Sequence, residues 1–96
     1  MSNQQFEYVA RLLVMRYING CVDDVYVKIE DVYVVWICKT LQNNKALLST
    51  TRSGDHRYYE ITYNGDKEEF YFDCYDKQKN ICYPNKQLKE WGVLDG

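Results

Sequence analysis

The sequence predicts an α+β fold in which one N-terminal helix packs on an antiparallel meander of about four strands, followed by a short C-terminal helix. Three features carry this expectation: an apolar repeat at helical spacing near the N-terminus, β-prone runs separated by turn-forming residues, and a lone proline ahead of a short helix-forming tail. A chain of 96 residues is one domain's worth of polypeptide, with room for one modest core. The expectation is therefore a single unit over residues 1–96.

The first element begins at Ser2. With Gln5 it fits a capping box, in which each side chain satisfies the other residue's free backbone amide. Behind it Phe6, Val9, Ala10, Leu13 and Tyr17 recur at helical spacing, the pattern of one buried stripe. Asn19-Gly20 supplies a stop, because glycine accepts the left-handed conformation that ends helices. The spacing thus predicts a helix over residues 3–18. In the next stretch Val25, Val27 and Ile29 alternate with Tyr26 and Lys28, which suits a short strand after a loop at Asp23-Asp24.

Asp31 to Thr40 is rich in Val, Tyr, Trp and Ile, residues that favour strands. Its alternation places Val32, Val34, Trp36 and Cys38 on one face and Tyr33, Val35 and Ile37 on the other. A run apolar on both faces is expected to be covered on both. One helix covers one face; the other calls for the C-terminal helix, with Leu88 and Trp91, or for a second copy of the chain in a homodimer. Gln42 to Lys45 reads as a turn, Ala46 to Thr51 as a second strand, and Ser53-Gly54-Asp55 as a second turn.

Tyr63-Asn64-Gly65-Asp66 contains the Asn-Gly pair that favours a two-residue type I′ hairpin. That turn sets Tyr63 opposite Asp66, Ile61 opposite Glu68 and Tyr59 opposite Phe70. One face then carries Tyr59, Ile61, Tyr63, Phe70, Phe72 and Cys74. The other carries Tyr58, Glu60, Thr62, Lys67, Glu69, Tyr71, Asp73 and Tyr75. A slip of one residue would destroy this segregation. Ile81-Cys82-Tyr83 suits a short edge strand that Pro84 prevents from continuing. Asn85 then caps a helix from Lys86 to Trp91, which Gly92 stops.

Composition narrows the function classes. The net charge is −2 and the isoelectric point is near 5.3, which argues against a protein that holds nucleic acid mainly by charge. The N-terminus lacks a basic region followed by an apolar run, and the longest apolar stretch, Val32 to Cys38, is far short of the roughly 20 residues of a membrane helix. The expected setting is cytoplasmic, with Cys21, Cys38, Cys74 and Cys82 as reduced, buried thiols.

Catalytic chemistry has little support. The one histidine, His56, lies in a turn, and nothing around Cys74 resembles a nucleophile motif. The nearest cysteines, Cys74 and Cys82, lack the short pairing of zinc ligands. Gly54 and Gly65 are isolated hairpin glycines rather than parts of a phosphate loop. No enzyme activity, metal or cofactor is expected.

The feature that stands out is an acidic, aromatic hairpin. Residues 60–76 hold Glu60, Asp66, Glu68, Glu69, Asp73 and Asp76 against Lys67 alone. The expected register sets Glu60 directly opposite Glu69, a destabilising pair of like charges. Tyr58, Tyr71 and Tyr75 share that face, and tyrosine is enriched at protein interfaces. Tyr58, Glu60, Glu69, Tyr71, Asp73 and Tyr75 are therefore the candidate partner-binding residues. The alternative is an ordinary solvated sheet face with tyrosine serving as a strand former.

The stretch DVYVVWICKTLQNNKALLSTT over residues 31–51, followed by YYEITYNGDK over 58–67, resembles a family of small uncharacterised proteins encoded by phages and prophages of Gram-positive bacteria. The likeness covers roughly residues 30–75. It implies a viral origin and action inside a bacterial cytoplasm, but no activity and no functional residues to carry over. By analogy with other small acidic phage proteins, the expected function is non-enzymatic: binding and modulating a host or defence protein with a basic surface, including the manner of a CRISPR-nuclease inhibitor. The alternative is a nucleic-acid-binding accessory protein using exposed aromatics with Lys39, Lys45, Arg52 and Arg57.

Overall fold

A computed structural model of the chain describes residues 1–21, 26–76 and 81–95. Helix α1 (Asn3–Cys21) leads through a single 3-10 turn (Ile29–Asp31) into strands β1 (Val32–Thr40), β2 (Asn43–Thr50), β3 (Arg57–Asn64) and β4 (Glu69–Asp76), and helix α2 (Asn85–Glu90) follows. The strands form one antiparallel sheet in the order β1-β2-β3-β4. This is the α+β meander that the sequence predicts.

The N-terminal cap forms as the residues require. The Gln5 amide donates to Ser2 Oγ at 3.1 Å, and the Ser2 amide donates to Gln5 Oε1 at 3.3 Å. The buried stripe of α1 is Phe6, Ala10, Val14 and Ile18, with Leu13 and Tyr17 packed beside it. It meets Val32, Ala46, Leu48, Tyr59 and Ile61 on the inner face of the sheet. Phe70 stacks on Phe6 with ring centres 6.2 Å apart, and Phe72 packs on Tyr17 at 4.8 Å, so aromatic contacts carry the core out to β4.

Several local expectations are corrected. Asn19-Gly20 does not stop α1, which continues to Cys21. The Asn19 side chain instead brackets the backbone of Val27, accepting from its amide at 2.8 Å and donating to its carbonyl at 3.0 Å. Residues 26–31 form no strand, and Val25 and the Asp23-Asp24 loop expected before it lie outside the described residues. The first hairpin turns at Leu41-Gln42 rather than over 42–45, because Thr40 pairs with Asn43. In β1 a bulge between Val34 and Trp36 sets two residues against one. It exchanges the faces of everything after it: Ile37 turns to the core, while Trp36 and Cys38 turn outward. Residues 81–84 carry no strand, and Asn85 is the first residue of α2 rather than its cap. Gly92, at φ +76°, does end that helix; the Val93 amide donates back to the Leu88 carbonyl at 2.9 Å.

The β3–β4 hairpin also departs from the two-residue turn. Asn64 pairs with Glu69, leaving Gly65 to Glu68 as a four-residue loop. Asn64 Oδ1 accepts from the amides of Asp66 and Lys67, a side-chain turn of the kind asparagine favours. Gly65 has no positive φ; a Cβ there would overlap the carbonyl oxygen of Gln42 in the neighbouring hairpin. The glycine thus serves close packing of two loop tips rather than a type I′ turn. The register is displaced by four residues along β4, with Tyr59 opposite Cys74 instead of Phe70. An even displacement leaves each side chain on its expected face.

All four cysteines are exposed, which corrects the expectation of buried thiols. Cys38 faces outward from an edge strand, and Cys74 lies on the opposite edge. The inner face is closed by α1, and Tyr33, Val35 and Trp36 on the outer side of β1 are exposed among the described residues. The Cα radius of gyration is 16.9 Å, against about 13 Å for a compact chain of this length. One helix on one sheet accounts for the 19 Å short axis.

Candidate functional site

The outer face of the sheet is built by simple alternation. β2 presents Asn43, Lys45 and Leu47; β3 presents Tyr58, Glu60 and Thr62; β4 presents Glu69, Tyr71, Asp73 and Tyr75. Cross-strand pairing places Tyr58 opposite Tyr75, Glu60 opposite Asp73, Thr62 opposite Tyr71, and Asn64 opposite Glu69. All six candidate residues therefore share one face.

The expected clash of Glu60 with Glu69 does not occur, because the longer loop moves Glu69 to the hairpin tip. Asp73 takes its place opposite Glu60, so two like charges still meet. The third strand relieves them: Lys45 Nζ lies 3.2 Å from Glu60 Oε1, and that carboxylate is only 20% exposed. At the tip the Tyr71 hydroxyl donates to Glu69 Oε2. This bond to a carboxylate, first, together with lesser desolvation, raises the Tyr71 pKa above the usual tyrosine value. Asp73 is the exposed carboxylate of the group with neither an ion pair nor a hydrogen bond among the described residues.

The face extends past the predicted residues. Trp36 stands opposite Leu47, which stands opposite Glu60, giving one row Trp36-Leu47-Glu60-Asp73. Tyr33, two-fifths exposed, lies opposite Ser49. The outer surface is thus apolar over β1 and acidic with tyrosines over β3 and β4. Sequence alternation alone missed Trp36, because the bulge reverses its side. Lys45 was legible only as a charge, since its partner sits on another strand.

The inner side of the sheet's far end is polar and fixed. Asp55 Oδ2 accepts from the hydroxyls of Thr50 and Tyr59, and Asp55 Oδ1 accepts from the Arg57 amide. Burial, with the Asp55 carboxylate beside it, pushes the Tyr59 pKa up to about 12. His56, next along this turn, is exposed. Cys74 lies beside Tyr17, and its charge is the leading cause that raises the Tyr17 pKa, ahead of burial.

Of the basic residues Lys39, Lys45, Arg52 and Arg57, Arg52 is half-buried. Lys45 is held by Glu60, Arg57 Nε lies 3.5 Å from Asp76 Oδ1, and Lys39 falls on the inner side of the edge through its pairing with Asn44. Among the described residues, no group of three or more His, Cys, Asp or Glu is disposed to hold a metal ion. No helix among them is long and apolar enough to cross a membrane.

The profile of one protein family, described as a family of unknown function (DUF6275), matches residues 7–85. Neither the comparison with curated proteins nor that with solved structures found a match.

Proposed function

The chain belongs to the DUF6275 family of unknown function, and on that footing we propose that it is a phage-encoded binding protein that modulates a bacterial host or defence protein by docking the acidic half of its sheet. The observation supporting this reading is the convergence of Tyr58, Glu60, Glu69, Tyr71, Asp73 and Tyr75 on the face of the sheet opposite α1, where Glu69, Tyr71, Asp73 and Tyr75 are exposed. Tyrosines there supply rigid amphipathic contact area. The carboxylates select a basic surface and steer its approach. The work is non-enzymatic and takes place in the bacterial cytoplasm.

The test is charge reversal at the exposed acids, Glu69→Lys with Asp73→Lys. Glu60 is left alone, because a lysine there would confront Lys45. Both substituted side chains are exposed, so the fold is expected to survive, as checked by circular dichroism and the thermal midpoint. The expected result is loss of a protein partner that the wild-type chain retains from host lysate, with wild-type binding weakening as salt is raised. Equal retention by both chains defeats the reading.

A further inference from the structure

The apolar half of the outer face and the C-terminal arm share one property: each exposes hydrophobic surface that the described residues leave open. On β1, Tyr33, Val35 and Trp36 are exposed by 41–46%. In the arm, Ile81, Tyr83, Trp91, Val93 and Leu94 are exposed by 38–66%. No residue from 81 to 95 is buried, and none joins the core. The arm is nevertheless a formed unit: Tyr83 packs edge-on against Trp91 with ring centres 5.7 Å apart, and the turn after α2 closes on the Leu88 carbonyl.

We infer that the arm of one copy seats on the β1–β2 half of the outer face of a second copy, and the reverse, forming a homodimer by reciprocal exchange. Covering these side chains removes on the order of 1,200 Å² of surface across two copies, which reaches the lower end of the ~1,200–2,000 Å² of a stable interface. Exchange about a two-fold axis satisfies both faces and both arms and leaves no open end. Trp36 and Trp91 are the anchors, as buried tryptophans dominate such contacts. The acidic half over β3 and β4 stays free, so the dimer and the docking surface proposed above are separate.

The experiment is sedimentation of the full-length chain over a concentration series, together with isotope-filtered NOE spectra of a mixture of labelled and unlabelled chains. The expected result is a dimer with contacts between chains from the Trp91 ring to Val35 and Trp36. Trp91→Glu, outside the core, is expected to keep the fold and weaken dimerisation by about 30-fold or more. A monomer at all concentrations overturns the inference. So does a monomer whose Trp91 contacts Trp36 within one chain, and so does a dimer lacking these contacts. Partner capture by the Glu69/Asp73 variant is read separately, so either proposal can fail alone.

Discussion

At the scale of single residues, three positions carry work that their identity does not advertise. Leu41 turns the first hairpin at φ +57° with its side chain 82% exposed. A left-handed conformation at the first of two loop residues is the type II′ arrangement, which glycine ordinarily fills. Leu41→Gly relieves the backbone and loses no packing, so it is expected to raise stability by about 0.5–1 kcal/mol in denaturant unfolding. Gly65 is the converse: its φ is ordinary, but Gln42 of the neighbouring loop fills the space of a Cβ. Gly65→Ala is expected to cost about 1–3 kcal/mol in the same measurement. Tyr59 is fully buried, with its pKa at about 12. A proton held more tightly in the folded than the unfolded chain stabilises below the ordinary tyrosine pKa, and that stability drains away as pH rises from about 10 to 12. Tyr59→Phe lowers stability at neutral pH by about 0.5–1.5 kcal/mol through the lost bond to Asp55. It is also expected to flatten the alkaline loss; an unfolding series between pH 8 and 12 that falls equally steeply for both chains contradicts this assignment.

At the scale of elements, what could be read from the sequence was what depends on near neighbours. The Ser2–Gln5 cap, the stripe of α1 and the alternation of β3 and β4 are settled within a few residues. The faces of the second hairpin survive even though its register does not, since a displacement of four residues preserves parity. What could not be read depends on contacts between distant segments. Asn64-Gly65 looks like a tight turn, yet Gly65 answers to Gln42 across the sheet end. Trp36 looks like a core residue until the bulge of β1, which no local pattern marks, turns it outward. Asn19 looks like a helix stop and instead holds the Val27 backbone. That the six candidate residues share one face was legible for the same parity reason. Its charge balance was not, because Lys45 reaches Glu60 from β2. That bridge predicts that Lys45→Met destabilises the sheet by up to about 1 kcal/mol by leaving Glu60 facing Asp73 unrelieved, with an excess over Lys45→Arg that shrinks as salt is raised.

At the scale of the whole molecule, a helix closes one side of a four-stranded sheet and the other side divides by chemistry. The β1 side is aromatic and aliphatic, and it is where the proposed exchange seats the arm of a second copy. The β3–β4 side is acidic and rich in tyrosine and suits a partner of opposite charge. The proposed self-exchange and the proposed docking face fall on the two halves of this division. Capture from host lysate by the wild-type chain and by the Glu69→Lys, Asp73→Lys variant, side by side at low and high salt, tests the docking face most directly. The account predicts one dominant protein held by the wild type at low salt, weakened by salt and absent from the variant. The same protein held equally by both chains, or nucleic acid recovered without a protein, contradicts it.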